Sequence, residues 1–174
     1  MSNVAGPDTA PCLEKKFEQL VETYRNPVLR MCWLCLYDRT LAEDALQETF
    51  LKVYRRLDTF RGESGEKTWI MKIAVNTCRD LNRSGWFRFV DRRVTPDALP
   101  EPAVRTDESD EELTTAVMKL SIRLREVILL YYYQNMKVND IADALGISQS
   151  AVSARLKRGR EKLKKLLEGR ELDE

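Results

Sequence analysis

Apolar residues in this chain recur at intervals of three and four along almost its whole length, and no stretch alternates apolar and polar residues as a half-buried strand does. That period admits helices and leaves no sheet, so the expected fold class is all-α. In "TLAEDALQETFLKVYRRL", Ala42, Ala45, Leu46, Val53, Tyr54 and Leu57 form one stripe, with Asp44, Gln47, Glu48, Lys52 and Arg55 on the other face. Thr40 followed by Glu43 has the spacing of a capping box and predicts a helix start. Residues 13–37 predict a long amphipathic helix with room for a bend at Pro27, and 68–83 predict another.

The period fails between Trp86 and Ser109, where Pro96, Pro100 and Pro102 interrupt it. Charge shifts in the same place. Asp91 to Leu113 carries eight acids and three bases, whereas Arg155 to Lys165 carries seven bases and one acid, although the whole chain of 174 residues sums to +1. Two small helical domains joined by a flexible acidic linker account for this: a disordered tail (1–12), a first domain (13–90), the linker (91–109) and a second domain (110–170). The basic block reads equally as a phosphate-binding surface or as a solvated helix face.

The second domain is the more specific. In "LREVILLYYYQ", Leu124, Val127, Ile128 and Tyr131 fall on one face. In "VNDIADALGISQSAVSARLKRGREKLKKLL", Ile141, Ala142 and Leu145 turn inward, Gly146 makes a tight turn, Ser148 caps a new helix, and Val152 and Leu156 continue the core. Helix, short glycine turn, helix is the spacing of a helix-turn-helix. Its second helix would enter a DNA major groove with Gln149, Ser150, Ser153, Arg155, Lys157 and Arg158.

Between the second and third predicted helices lies "FRGESGEKTWIMKIAVN". One reading makes Phe60 and Trp69 stacking faces for an unpaired base and Asn76 a reader of its edge. Arg61, Lys67, Lys72, Arg79 and Arg83 would then hold the strand. The other makes the aromatics ordinary core and Asn76 a satisfied helix polar. Cysteines stand at 12, 32, 35 and 78 and there is no histidine. Cys32 and Cys35 read as buried small hydrophobes or as a zinc or redox pair. The first reading is favoured, so no metal and no cofactor are expected. No apolar run is long enough to span a bilayer and no signal peptide opens the chain, which predicts a cytoplasmic protein without direct membrane insertion.

The residues also carry a resemblance. "LAEDALQETFLKVYRRLDTFRGESGEKTWIMKIAVNTCRDLNR" resembles region 2 of the extracytoplasmic-function sigma factors of bacterial RNA polymerase, in the sigma-70 family, and "LREVILLYYYQNMKVNDIADALGISQSAVSARLKRGREKL" resembles their region 4. The resemblance implies a subunit, not itself an enzyme, that binds core polymerase and directs transcription initiation by recognising −10 and −35 promoter elements and promoting strand opening. It implies a clamp-binding surface at Asp44, Gln47, Glu48, Phe50, Lys52 and Arg55, and a pocket for a flipped −10 base at Phe60, Gly62, Ser64 and Asn76. Trp69, Arg61, Lys72 and Arg79, read above as a stacking face and strand holders, would join that single-stranded contact, and the resemblance implies that region 4 reads −35 duplex and meets the polymerase flap. An anti-sigma partner is implied as well.

This chain departs from the family pattern at Ser153 and Ala154, where a Lys or Arg and then Ser are usual, at Lys137, often a capping Ser or Thr, and at Ser121, often Pro. Two rival functions remain: a free-standing helix-turn-helix regulator, and a thiol or zinc sensor built on Cys32 and Cys35.

Overall fold

The computed structural model describes residues 10–83 and 108–169. Among these, all regular structure is helical: α1 (Ala10–Leu36), α2 (Arg39–Arg56) with a 3-10 turn (Leu57–Thr59), α3 (Glu66–Arg83), α4 (Glu108–Met118), α5 (Ile122–Ile128) with a π turn (Leu129–Tyr133), α6 (Val138–Leu145) and α7 (Gln149–Glu168). Helix α1 begins at Ala10, inside the expected tail, and runs unbroken through Pro27. Residues 1–9 of that tail and 91–107 of the expected linker lie outside the described residues.

Helix α2 starts two residues earlier than its capping signal. Asp38, not Thr40, is the cap: its Oδ1 accepts from the Leu41 backbone N–H at 2.9 Å. A carboxylate just upstream satisfies an orphan donor of the first turn, which leaves Thr40 inside that turn.

The π turn corrects a second expectation. Gln134 N donates to Leu129 O at 3.0 Å, a five-residue step. The extra residue rotates the chain about the helix axis, so Leu129 and Leu130 are buried while Tyr131 is 37 % exposed and leaves the predicted stripe. Beyond it, Ile141, Ala142, Leu145, Val152 and Leu156 are buried as the pattern predicts. Gly146 takes φ +64°, the left-handed turn between α6 and α7. At Gly159 the backbone of α7 lies against α5: a Cβ there would sit 3.0 Å from Ile128 Cγ1.

The halves close on one another around a shared core, with α3 packed on α6 and α1 touching α5. Arg125 ties them at two helix ends. Its guanidinium donates to Val117, Met118 and Leu120 carbonyls where α4 ends, and to Leu34 and Cys35 carbonyls, at 3.4 Å each, where α1 ends. Carbonyls at helix ends lack intrahelical partners, and a cation there also complements both helix dipoles. Gln134 adds a second tie, donating from Nε2 to Pro27 O at 3.1 Å, while its own backbone carbonyl accepts from Lys67 Nζ.

Candidate nucleic-acid interface and adjoining surfaces

The outer face of α2 presents Asp44, Gln47 and Arg55 to solvent, with Glu48 at its margin. Leu51 and Tyr54, 50 % and 51 % exposed, complete that face, although the apolar period assigns Tyr54 to the buried stripe. Asp44, Gln47, Leu51 and Tyr54 succeed one another at three- and four-residue steps, so one stripe combines acid, amide and two large apolar groups. Leu51 is legible in the sequence as an apolar residue out of phase with the buried stripe. Two residues expected on this surface belong elsewhere. Phe50 is 7 % exposed and packs edge-on to Phe17 at 6.3 Å. Lys52 turns toward α3, donating from Nζ to Thr77 Oγ1 at 3.1 Å and pairing with Glu48 at 3.5 Å. The helical step of about 100° per residue puts both on flanks of α2 away from Asp44.

Phe60 and Trp69 stack on each other, ring centres 4.5 Å apart and 27° from parallel. Trp69, Lys72, Ile73 and Asn76 share one face of α3 and, with Lys52 and Arg56 of α2, line a cleft of about 340 Å³. Lys72 and Asn76 are exposed there, so Asn76 is a surface amide rather than an interior polar group. The loop residues Phe60, Gly62 and Ser64 do not line this cleft; Phe60 adjoins it only through Trp69. Gly62 takes φ +71° with open space around it, and Arg61 is exposed beside it.

Arg79, one turn beyond Asn76, is engaged. Its Nε donates to Glu126 Oε1 at 2.8 Å and its Nη2 to Oε2 at 2.7 Å. Glu126 is 2 % exposed. The hydrogen bonds to that carboxylate push the Arg79 pKa further up, so the guanidinium stays charged.

In the second half, Ser148 Oγ accepts from Ala151 N at 3.2 Å and starts α7, while Lys137 opens α6 without a side-chain cap. Gln149 Nε2 donates to Asn139 Oδ1 at 2.9 Å, bracing the turn. Gln149, Ser150, Ser153, Lys157 and Arg158 are exposed along α7. Arg155 does not share that outward face. It is half-buried and lines a second cleft, of about 620 Å³, between α7, α5 and α3.

Cys32, Cys35 and Cys78 are buried in the first half. Contact with the neighbouring thiols, together with burial, raises the Cys35 and Cys78 pKa values well above the ordinary thiol range. Such thiols stay protonated, as buried core cysteines do. Among the described residues no cluster of three or more acidic, Cys or His side chains is placed to hold a metal, and no helix is long and apolar enough to cross a membrane.

Comparison with known proteins assigns a family to each half. The family model Sigma-70 region 2 matches residues 20–88, and Sigma-70, region 4 matches residues 110–163. The chain is 30 % identical to the ECF RNA polymerase sigma factor SigX of Bacillus subtilis, over 90 % of this chain and 86 % of that protein. Its fold is similar to that of the sigma factor RpoE from Bartonella quintana, solved with the anti-sigma factor NepR: TM-score 0.75, 22 % identity, 88 % of this chain and 98 % of the other. CnrH, solved with the cytosolic domain of CnrY, is 27 % identical at TM-score 0.68, covering 90 % of each chain. With region 2 in the first half and region 4 in the second, the chain belongs to the extracytoplasmic-function sigma factors of the sigma-70 family, the promoter-recognition subunits of bacterial RNA polymerase.

Proposed function

We propose that three surfaces divide the work of promoter recognition. The outer stripe of α2, Asp44, Gln47, Glu48, Leu51, Tyr54 and Arg55, docks on the polymerase clamp. Large apolar groups in a charged rim are the usual anatomy of such a contact. The α3 cleft takes the melted −10 strand. Trp69, stacked on Phe60, offers an apolar wall, Asn76 can donate to and accept from a base edge, and Lys52 and Lys72 meet phosphates. Arg61, Gly62 and Ser64 form the approach to that cleft. The exposed start of α7, Gln149, Ser150 and Ser153, faces −35 base edges, and Lys157 and Arg158 continue along the groove. Region 4 also meets the polymerase flap.

The observation that carries this reading is the pairing of two unlike nucleic-acid surfaces on one chain, a duplex-reading helix and an aromatic–amide cleft suited to an unpaired base. A free-standing regulator needs only the first. For Arg79 to reach a strand it must leave Glu126, so its use in −10 binding accompanies separation of the halves. The chain acts in the cytoplasm, has no catalytic step of its own, and is held inactive by an anti-sigma partner. RpoE and CnrH, the similar structures, were each solved with a bound protein.

Transcription by core polymerase from a randomised promoter library tests this reading. The expected result is initiation dependent on this chain, with base preferences at −10 and −35. Polymerase-independent binding to a palindromic site, without initiation, would overturn it.

A further inference from the structure

The cleft between the halves has more positive charge than its structural role requires. Among the described residues its walls carry four arginines, Arg79 and Arg83 from α3, Arg123 from α5 and Arg155 from α7, against one acid, Glu126. Arg79 occupies both oxygens of that carboxylate. Arg83, Arg123 and Arg155 form no ion pair with a described residue. Like charges brought together from two halves oppose closure. That repulsion turns favourable if an anion with several acceptor oxygens occupies the cleft.

We propose that this cleft is a binding site for a compact polyanion carrying a diphosphate group. Guanidinium forks match phosphoryl oxygens two at a time. A space of about 620 Å³ is of small-ligand size and exceeds what a single chloride or carboxylate would fill. Residues from both halves form the site, so it exists only while they are closed. Its ligand therefore binds the closed form alone and stabilises it by linkage. Because Arg155 belongs to α7, the ligand and promoter duplex draw on one helix, and occupancy disfavours the form that reads DNA.

Calorimetric titration of the full chain with sodium pyrophosphate tests this, with ionic strength held constant by potassium chloride. The expected result is saturable, single-site binding and a rise in melting temperature that chloride alone does not give. Replacing the two exposed arginines, Arg83→Gln with Arg123→Gln, should weaken binding about ten-fold or more while leaving circular dichroism as in the parent and the ligand-free melting temperature equal to or above the parent's, since repulsion is relieved. In Glu126→Gln, which loosens closure, pyrophosphate should restore the compact radius seen by small-angle scattering. Adenosine diphosphate serves as a second probe. Tighter binding than pyrophosphate places a nucleotide in the cleft, and equal binding assigns recognition to the diphosphate alone. Binding that merely tracks ionic strength, or that survives unchanged in the double arginine variant, overturns the proposal. Neither polymerase nor promoter is present, so such a failure leaves the promoter-recognition reading standing.

Discussion

Arg79→Leu removes both partners of the Glu126 carboxylate in one step. The lost contacts are the 2.8 Å and 2.7 Å hydrogen bonds, and Glu126, 2 % exposed, has no water-facing alternative while the halves stay closed. Stranding one member of a buried ion pair costs about 3–5 kcal/mol. The Arg79 side chain retains 27 % exposure, which screens part of the interaction, so about 2–4 kcal/mol is the expected loss. The chain has an escape, because parting α3 from α5 hydrates Glu126. The measured deficit is therefore capped by the energy that docks the two halves, and beyond that cap the variant opens instead of unfolding. Glu126→Leu should cost less, since Arg79 can turn toward solvent. The double variant places two apolar side chains together and should return to within about 1 kcal/mol of the parent, giving a coupling of roughly 2 kcal/mol. Chemical denaturation supplies the energies and small-angle scattering the radius, which should grow in Arg79→Leu and recover in the double variant. Additive losses in the cycle, or an Arg79→Leu chain that stays compact with an unchanged midpoint, would refute the idea that this pair holds the halves together.

Replacing Gln47 by Ala and Leu51 by Ser should weaken core-polymerase binding with stability held within about 0.5 kcal/mol, because both are exposed on α2; equilibrium binding beside a thermal melt checks this. Asn76→Ala should reduce promoter opening more than closed-complex binding and erase the preference at one non-template −10 base, read by permanganate footprinting; its exposure means the melting temperature should not move. Gly159→Ala should gain about 1 kcal/mol of helix propensity yet lose a comparable or larger amount against Ile128, whose Cγ1 would lie 3.0 Å from the new methyl. Ile128→Val in the same chain removes the Cδ1 that would lie 3.1 Å from that methyl and should recover part of the loss, and denaturation of the pair of variants measures whether it does.

The linear sequence by itself determined what depends on near neighbours. The period of the apolar residues made the chain helical. The Gly146 turn and the Ser148 cap after it located the helix-turn-helix, and Gly146 does take the left-handed conformation that a side chain resists. The α2 face bearing Asp44 and Gln47, and the α3 face bearing Lys72 and Asn76, were legible for the same reason, since a step of about 100° per residue sorts positions onto faces without reference to the rest of the chain. What only the folded structure decided involves backbone geometry and partners that the apolar period does not encode. Asp38 displaced Thr40 as the cap because its carboxylate reached Leu41 N. The π turn at Leu129 rotated Tyr131 out of the core, a one-residue insertion that leaves no mark in the apolar period. Phe50 went inward to Phe17, and Lys52 to Thr77. Arg79 and Arg155 read as strand and groove contacts when each helix is considered alone, but they face a common cleft once the halves close. A charged side chain goes where its desolvation is best compensated, and for Arg79 that compensation is a carboxylate 47 residues away.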